Sequence, residues 1–126
     1  MKKFIIYLAV LLIGVGITGC YKDVIYPDVA TDPDGPPQAV SFNAEVAPLL
    51  NTKCAIAGCH VAGAHSPVLT TNQSYQALVN GGYVNVLLPK ESILYKMING
   101  EMREYIPLSA DRQKVYDWIR NGAPNN

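Results

Sequence analysis

Cys54-Ala55-Ile56-Ala57-Gly58-Cys59-His60 is the stretch on which the fold of this chain turns. It sets two thiols and an imidazole side by side, just after a segment carrying Val46, Leu49 and Leu50 at helical spacing. Sulfur and imidazole gathered at a helix end point to a cross-link, a metal or a prosthetic group. Which of these applies depends on the compartment and on the chain's third cysteine, Cys20.

Residues 1–19 open with Lys2 and Lys3, continue with an apolar run from Phe4 to Val15, and close on Gly16-Ile17-Thr18-Gly19. A basic start, a short apolar centre and small residues before a cut site describe a secretory signal. The run falls short of the roughly 20 apolar residues of a membrane-spanning helix. Ile17-Thr18-Gly19-Cys20 resembles a bacterial lipobox, in which Cys20 becomes the lipidated first residue of the mature chain. The mature protein is then expected at the bacterial cell envelope, lipid-anchored, where thiols oxidise. Tyr21 rather than Asp follows Cys20, which favours the outer membrane and leaves the periplasmic or surface face open.

Of the 126 residues 49% are hydrophobic, but the signal segment takes a disproportionate share. Ten Lys and Arg balance ten Asp and Glu, so no basic field favours nucleic acid and no acidic bulk favours disorder. From Cys20 to Val40 the chain is rich in Pro and Asp, with the turn sequence Asp32-Pro33-Asp34-Gly35, and reads as a flexible tether. Asp32, Asp34 and Gly35 faintly resemble a calcium loop, but no glutamate stands at the required distance downstream.

The folded domain is expected over 41–126, all-α with long loops. The spacing predicts four helices. One covers 43–53, capped by Asn43, and one 73–79, after Asn72. One covers 92–99, capped by Ser92 with an Ile93-Leu94-Met97-Ile98 face, and one 110–121, capped by Ser109 with Val115, Trp118 and Ile119 as its stripe. Gly122 ends the last helix. No alternating strand pattern of useful length occurs. Four short helices bury little apolar surface, and domains of this size are marginal without a metal, disulfide or cofactor.

A Cys-x-x-Cys-His run marks covalent haem attachment. Two thiols add across the haem vinyl groups as thioethers, and the adjacent imidazole ligates the iron. Here four residues separate Cys54 from Cys59, so the run is a wider Cys-x4-Cys-His variant with a looped-out insert that Gly58 would ease. Three other readings stay open. Cys54 and Cys59 could form a structural disulfide, closing a haem-free surface interaction module. Cys54, Cys59, His60 and His65 could hold zinc, although adjacent Cys and His rarely ligate one metal together. A Cys-His nucleophile would need a third, orienting group.

Beyond the motif, Phe42-Asn43-Ala44-Glu45-Val46-Ala47-Pro48-Leu49-Leu50 and Cys59-His60-Val61-Ala62-Gly63 resemble the start of small, lipid-anchored c-type cytochrome domains of Bacteroidetes-like bacteria. Leu94-Tyr95-Lys96-Met97-Ile98-Asn99-Gly100 and the ending Trp118-Ile119-Arg120-Asn121-Gly122-Ala123 are similar to the same family. The resemblance implies a class I cytochrome c-like fold around one covalent haem c. It implies thioethers at Cys54 and Cys59, His60 as proximal ligand, and single-electron carriage between redox protein partners without substrate turnover. The family's sixth ligand is a methionine followed by proline. Met102 falls at that place, followed by Arg103 instead, whereas aligning Ile106-Pro107 there would lose the ligand. Met97 reads as a core residue and His65 as a solvated loop histidine. Tyr75, Tyr83, Tyr95, Tyr105 and Tyr116 are candidates for the haem rim, and the indole N–H of Trp118 for a propionate.

Overall fold

Ser41 opens the first helical segment. Its hydroxyl oxygen accepts from the Ala44 N–H at 3.2 Å, while its own N–H donates to Glu45 Oε2 at 3.1 Å. This is a capping box widened by one residue, because the chain enters through a π-helical turn, Phe42–Val46, before α1 (Ala47–Lys53). The cap therefore stands two residues before Asn43, the expected position. The Asn43 N–H donates instead to the Asn126 carbonyl at 2.8 Å, and the Phe42 N–H to the Asn126 side-chain oxygen at 2.8 Å.

The computed structural model describes residues 32–126; the signal segment and Cys20 lie outside the described residues. After α1 come α2 (Ser74–Asn80), a 3-10 turn (Pro89–Glu91), α3 (Ile93–Asn99) and α4 (Ser109–Arg120). The fold is all-α as expected, with no strand among the described residues. Each helix begins or ends within about two residues of its expected bounds, but the caps differ. Ser92 stands at the N-cap of α3 as expected, its carbonyl accepting from the Lys96 N–H at 3.0 Å, but its side chain makes no cap bond. It is buried, and its hydroxyl ties the chain back to Asn85, accepting from that N–H at 2.9 Å. Among the described residues no helix is long and apolar enough to cross a membrane.

α4 ends as Gly122 predicts. The Gly122 N–H reaches the Ile119 carbonyl at 3.0 Å and the Ala123 N–H the Trp118 carbonyl at 2.9 Å, with Gly122 at φ +91°. That pair is a Schellman closure, and its left-handed residue is the one where a Cβ is penalised. The closure turns Ala123 and Pro124 back over Trp118. The Trp118 indole N–H donates to the Pro124 carbonyl at 2.9 Å, and the Tyr75 hydroxyl to the Ala123 carbonyl at 3.1 Å. Phe42 packs between those rings, 4.9 Å from Trp118 and 5.2 Å from Tyr75.

This aromatic cluster corrects two expectations. The Trp118 N–H is already satisfied within the chain and is not directed to a cofactor. Tyr75 likewise belongs to the core. With Val46, Val115 and Ile119, all fully buried, these residues form a packed centre made by the chain alone.

Part of the expected tether is joined to this centre. Gly35 N–H closes a turn on the Asp32 carbonyl at 3.2 Å, and Asp34 pairs with Lys90 at 2.7 Å. Further along, the Gln38 N–H donates to Asp117 Oδ2 at 3.2 Å, the Gln38 carbonyl accepts from Asn121 at 2.7 Å, and Val40 is buried. The segment from Asp32 to Val40 thus lies along α4.

Candidate functional site

The Cys54–His60 segment is shaped by two nested backbone bonds. The His60 N–H donates to the Cys54 carbonyl at 3.1 Å, closing the loop at its base. Inside it, the Cys59 N–H donates to the Ile56 carbonyl at 2.9 Å, making a β-turn whose third residue is Gly58 at φ +81°. A type II turn needs positive φ at that place, which glycine supplies without cost. The wider spacer is therefore absorbed by one tight turn, and both cysteines flank it.

The next segment fixes the histidine. The Leu69 N–H donates to the His60 carbonyl at 2.8 Å, bringing the Pro67 carbonyl to the edge of the ring. His60 Nδ1 lies 3.0 Å from the Pro67 carbonyl oxygen. A carbonyl only accepts, so Nδ1 carries the proton and Nε2 of the neutral ring keeps its lone pair. A ligating imidazole needs this arrangement.

These residues form one wall of a cavity of about 420 Å³, within the range of cofactor sites. Cys54, Cys59, His60 and Pro67 line it together with Leu50, Leu78, Leu94 and Ile98, and its surface is mostly apolar. Met97, Met102, Tyr83 and Tyr105 also line it, and exposed Ile56 and Ile93 stand at its mouth. Cys54 is buried and its thiol is pushed up to about 11, first by burial and then by the neighbouring Cys59. It stays a neutral thiol at physiological pH. Both cysteines are free thiols.

The sequence expectations divide at this cavity. Cys54, Cys59, His60 and Met102 are brought together on its walls. Met97 was expected in the core but is only half-buried and lines the cavity beside Met102. The Met102 N–H donates to the Met97 carbonyl at 2.9 Å, so the turn after α3 brings the two methionines close. His65 is exposed as expected, although it too borders the cavity. Of the five tyrosines only Tyr83 and Tyr105 reach it; Tyr95 and Tyr116 stack on each other at 4.4 Å elsewhere. Among the described residues no three of His, Cys, Asp and Glu gather as metal ligands, so the zinc set is not assembled. The His60 ring bonds to Pro67 and to neither thiol, which leaves a Cys-His nucleophile without its base.

One residue that positions the site escaped the sequence reading. Arg112 is buried, and its NH1 donates to the carbonyls of Ile106 at 2.7 Å and Pro107 at 2.6 Å, while Nε donates to Asn99 at 3.1 Å. It ties the loop carrying Met102 to both α3 and α4. The signal was available: Arg112 lies on the same stripe as Val115, Tyr116 and Ile119, where a solvated arginine does not belong.

No protein-family model, curated protein or solved structure matches this chain. The class defined here is a small all-α domain with two thiols, a ligand-ready imidazole and thioethers around one apolar cavity.

Proposed function

We propose that the chain is a lipid-anchored monohaem c-type cytochrome domain of the bacterial envelope, carrying single electrons between protein partners. The observation that carries this reading is the His60–Pro67 hydrogen bond, which leaves Nε2 able to ligate at the wall of an apolar cavity that both cysteines share. Cys54 and Cys59 would hold haem c through thioethers, each S–H adding across a vinyl C=C with no net oxidation. His60 would be the proximal ligand and Met102 the distal one.

The haem would supply the one-electron chemistry, and the chain tunes it. His60 is held in one tautomer. The apolar walls exclude water and so favour the less charged state of a buried redox centre. A thioether ligand raises the reduction potential. Arg112 holds the loop that bears it. Anchoring through Cys20 would confine this exchange to the membrane surface.

Expression with a cytochrome c maturation system, followed by a reduced-minus-oxidised visible spectrum, tests the reading. Sharp α and β bands that vanish in His60→Ala support it. A colourless protein without free thiols would favour a haem-free module closed by a Cys54–Cys59 disulfide.

A further inference from the structure

The two most exposed large apolar side chains among the described residues, Leu87 and Leu88, lie outside the cavity with Val86, on the loop before the 3-10 turn. Leu87 is 88% exposed, Leu88 60% and Val86 45%. Three consecutive aliphatic residues in water are costly unless something covers them. The loop that presents them is built and held. Asn85 Oδ1 accepts from the N–H groups of both Leu87 and Leu88, at 3.1 and 3.0 Å, and buried Ser92 bonds to Asn85 in turn. The leucines are thus held outward by a fixed turn.

Two observations say what covers them. The first is where the tether meets the domain. Asp34 is ion-paired to Lys90 at 2.7 Å, two residues after Leu88 in the chain, so the N-terminal segment joins the domain beside this loop. The second is the length of that segment. Eleven residues lie between Cys20 and Asp32, a span of at most about 40 Å even fully extended. An acyl anchor at Cys20 therefore keeps the domain within about 40 Å of the bilayer, and the tether enters beside Val86-Leu87-Leu88. At that range, aliphatic side chains gain free energy by leaving water for the headgroup and acyl boundary.

We propose that Val86, Leu87 and Leu88 form a membrane-insertion loop that docks the domain onto the lipid surface to which Cys20 tethers it. The proposal rests on the lipid-anchor part of the function proposed above and is independent of the haem. The charges close by, Lys90 with Asp34 and Lys96 with Glu91, are internally paired, so insertion is apolar and insensitive to salt.

The test uses the full chain from a host that processes lipoproteins, with intact mass reporting the lipid on Cys20. The protein is reconstituted into phosphatidylethanolamine–phosphatidylglycerol vesicles doped with a phospholipid carrying a diazirine in its acyl chain. After irradiation, adducts are mapped by mass spectrometry. Adducts should concentrate on Val86–Leu88 and fall by about tenfold in Leu87→Ser/Leu88→Ser, while the exposed Ala62–Ala64 loop stays unlabelled in both. A lipidated chain with no enrichment at Val86–Leu88 overturns the insertion loop and keeps the anchor. An unlipidated chain that still labels there overturns the anchor and keeps the loop. Protection of Val86–Leu88 that arises without vesicles, with rising protein concentration, would assign the patch to a second copy of the chain and overturn the proposal.

Discussion

His60 Nδ1 and the carbonyl oxygen of Pro67 stand 3.0 Å apart, and this contact decides which face of the imidazole is chemically available. Free histidine in water favours the proton on Nε2, whereas here the carbonyl acceptor holds it on Nδ1. Long-range ¹H–¹⁵N spectra of the apo chain above the histidine titration range should show Nε2 unprotonated for His60 and the ordinary tautomer for exposed His65. A dominant Nε2–H form at His60 would remove the pre-set ligand from the site.

The buried thiol of Cys54 leads to a second outcome. Its shift from 9.0 to about 11 leaves roughly a hundredfold less thiolate near pH 8 than an ordinary cysteine has. Alkylation of the apo protein should therefore modify half-buried Cys59 first, and Cys54 should become reactive only as pH approaches 11. Stability follows the same group. The folded pKa lies above the unfolded one, so the contribution is complete below about 9 and lost as pH rises through about 11. Denaturant midpoints of wild type should fall across that window, and those of Cys54→Ala should fall less. Equal labelling of both cysteines at pH 8 would refute the burial argument.

Arg112 is the residue on which the Met102 loop depends. Arg112→Leu leaves the carbonyls of Ile106 and Pro107 and the Asn99 side chain short of their donor, a loss of about 2–4 kcal/mol measured by urea unfolding. Arg112→Lys should recover only part, because an ammonium cannot reproduce the fork that spans these acceptors. In the haem-loaded protein, weakening of a methionine–iron charge-transfer band in Arg112→Leu would separate positioning of Met102 from general loss of fold. An unchanged band in that variant would exclude a positioning role.

Much of the fold could be read from the sequence, because its helices follow from periodic apolar residues and from the glycine that closes α4. The caps could not, since they depend on partners far along the chain. Asn43 is a good cap by type, but the first segment begins at Phe42, which places Asn43 inside the π-helical turn and moves the cap to Ser41. The Cys54, Cys59 and His60 cluster was legible as a motif. What fixes His60 was not, because Pro67 reaches it only after a loop folds back. Met97 was misplaced for a related reason. A helical stripe shows which residues share a face but not how deep each lies: all four line the cavity, with Leu94 and Ile98 buried, Met97 half-buried and Ile93 exposed.

Ser41 offers a test of that long-range capping. Its hydroxyl accepts from the Ala44 N–H and donates to the Asn126 carbonyl at 2.9 Å, so one side chain serves the start of the first helical segment and the end of the described chain together. Ser41→Ala should cost about 1–2 kcal/mol, near the upper range for cap removal. Asn126→Ala should cost less, since its main-chain carbonyl remains for Asn43 and Ser41 while only the side-chain acceptor of the Phe42 N–H is lost. A larger loss for Asn126→Ala than for Ser41→Ala, by thermal unfolding, would reverse this ranking.

Gly58 separates conformational strain from crowding. A Cβ there would meet no heavy atom within 4 Å, so Gly58→Ala is opposed by the left-handed φ of +81° alone. The cost should be about 1–2 kcal/mol. Gly81 is the reverse case: a Cβ would come within 2.2 Å of the Ala77 carbonyl and 2.8 Å of the Tyr83 ring. Gly81→Ala must move backbone or the cavity-lining Tyr83, whereas Gly58→Ala must only reshape the turn between the cysteines. Gly58→Asn, which tolerates positive φ better than alanine, should restore part of the stability lost in Gly58→Ala. At Gly81 the larger asparagine should restore nothing. If Gly58→Asn unfolds as readily as Gly58→Ala, strain in the spacer is not what glycine relieves there.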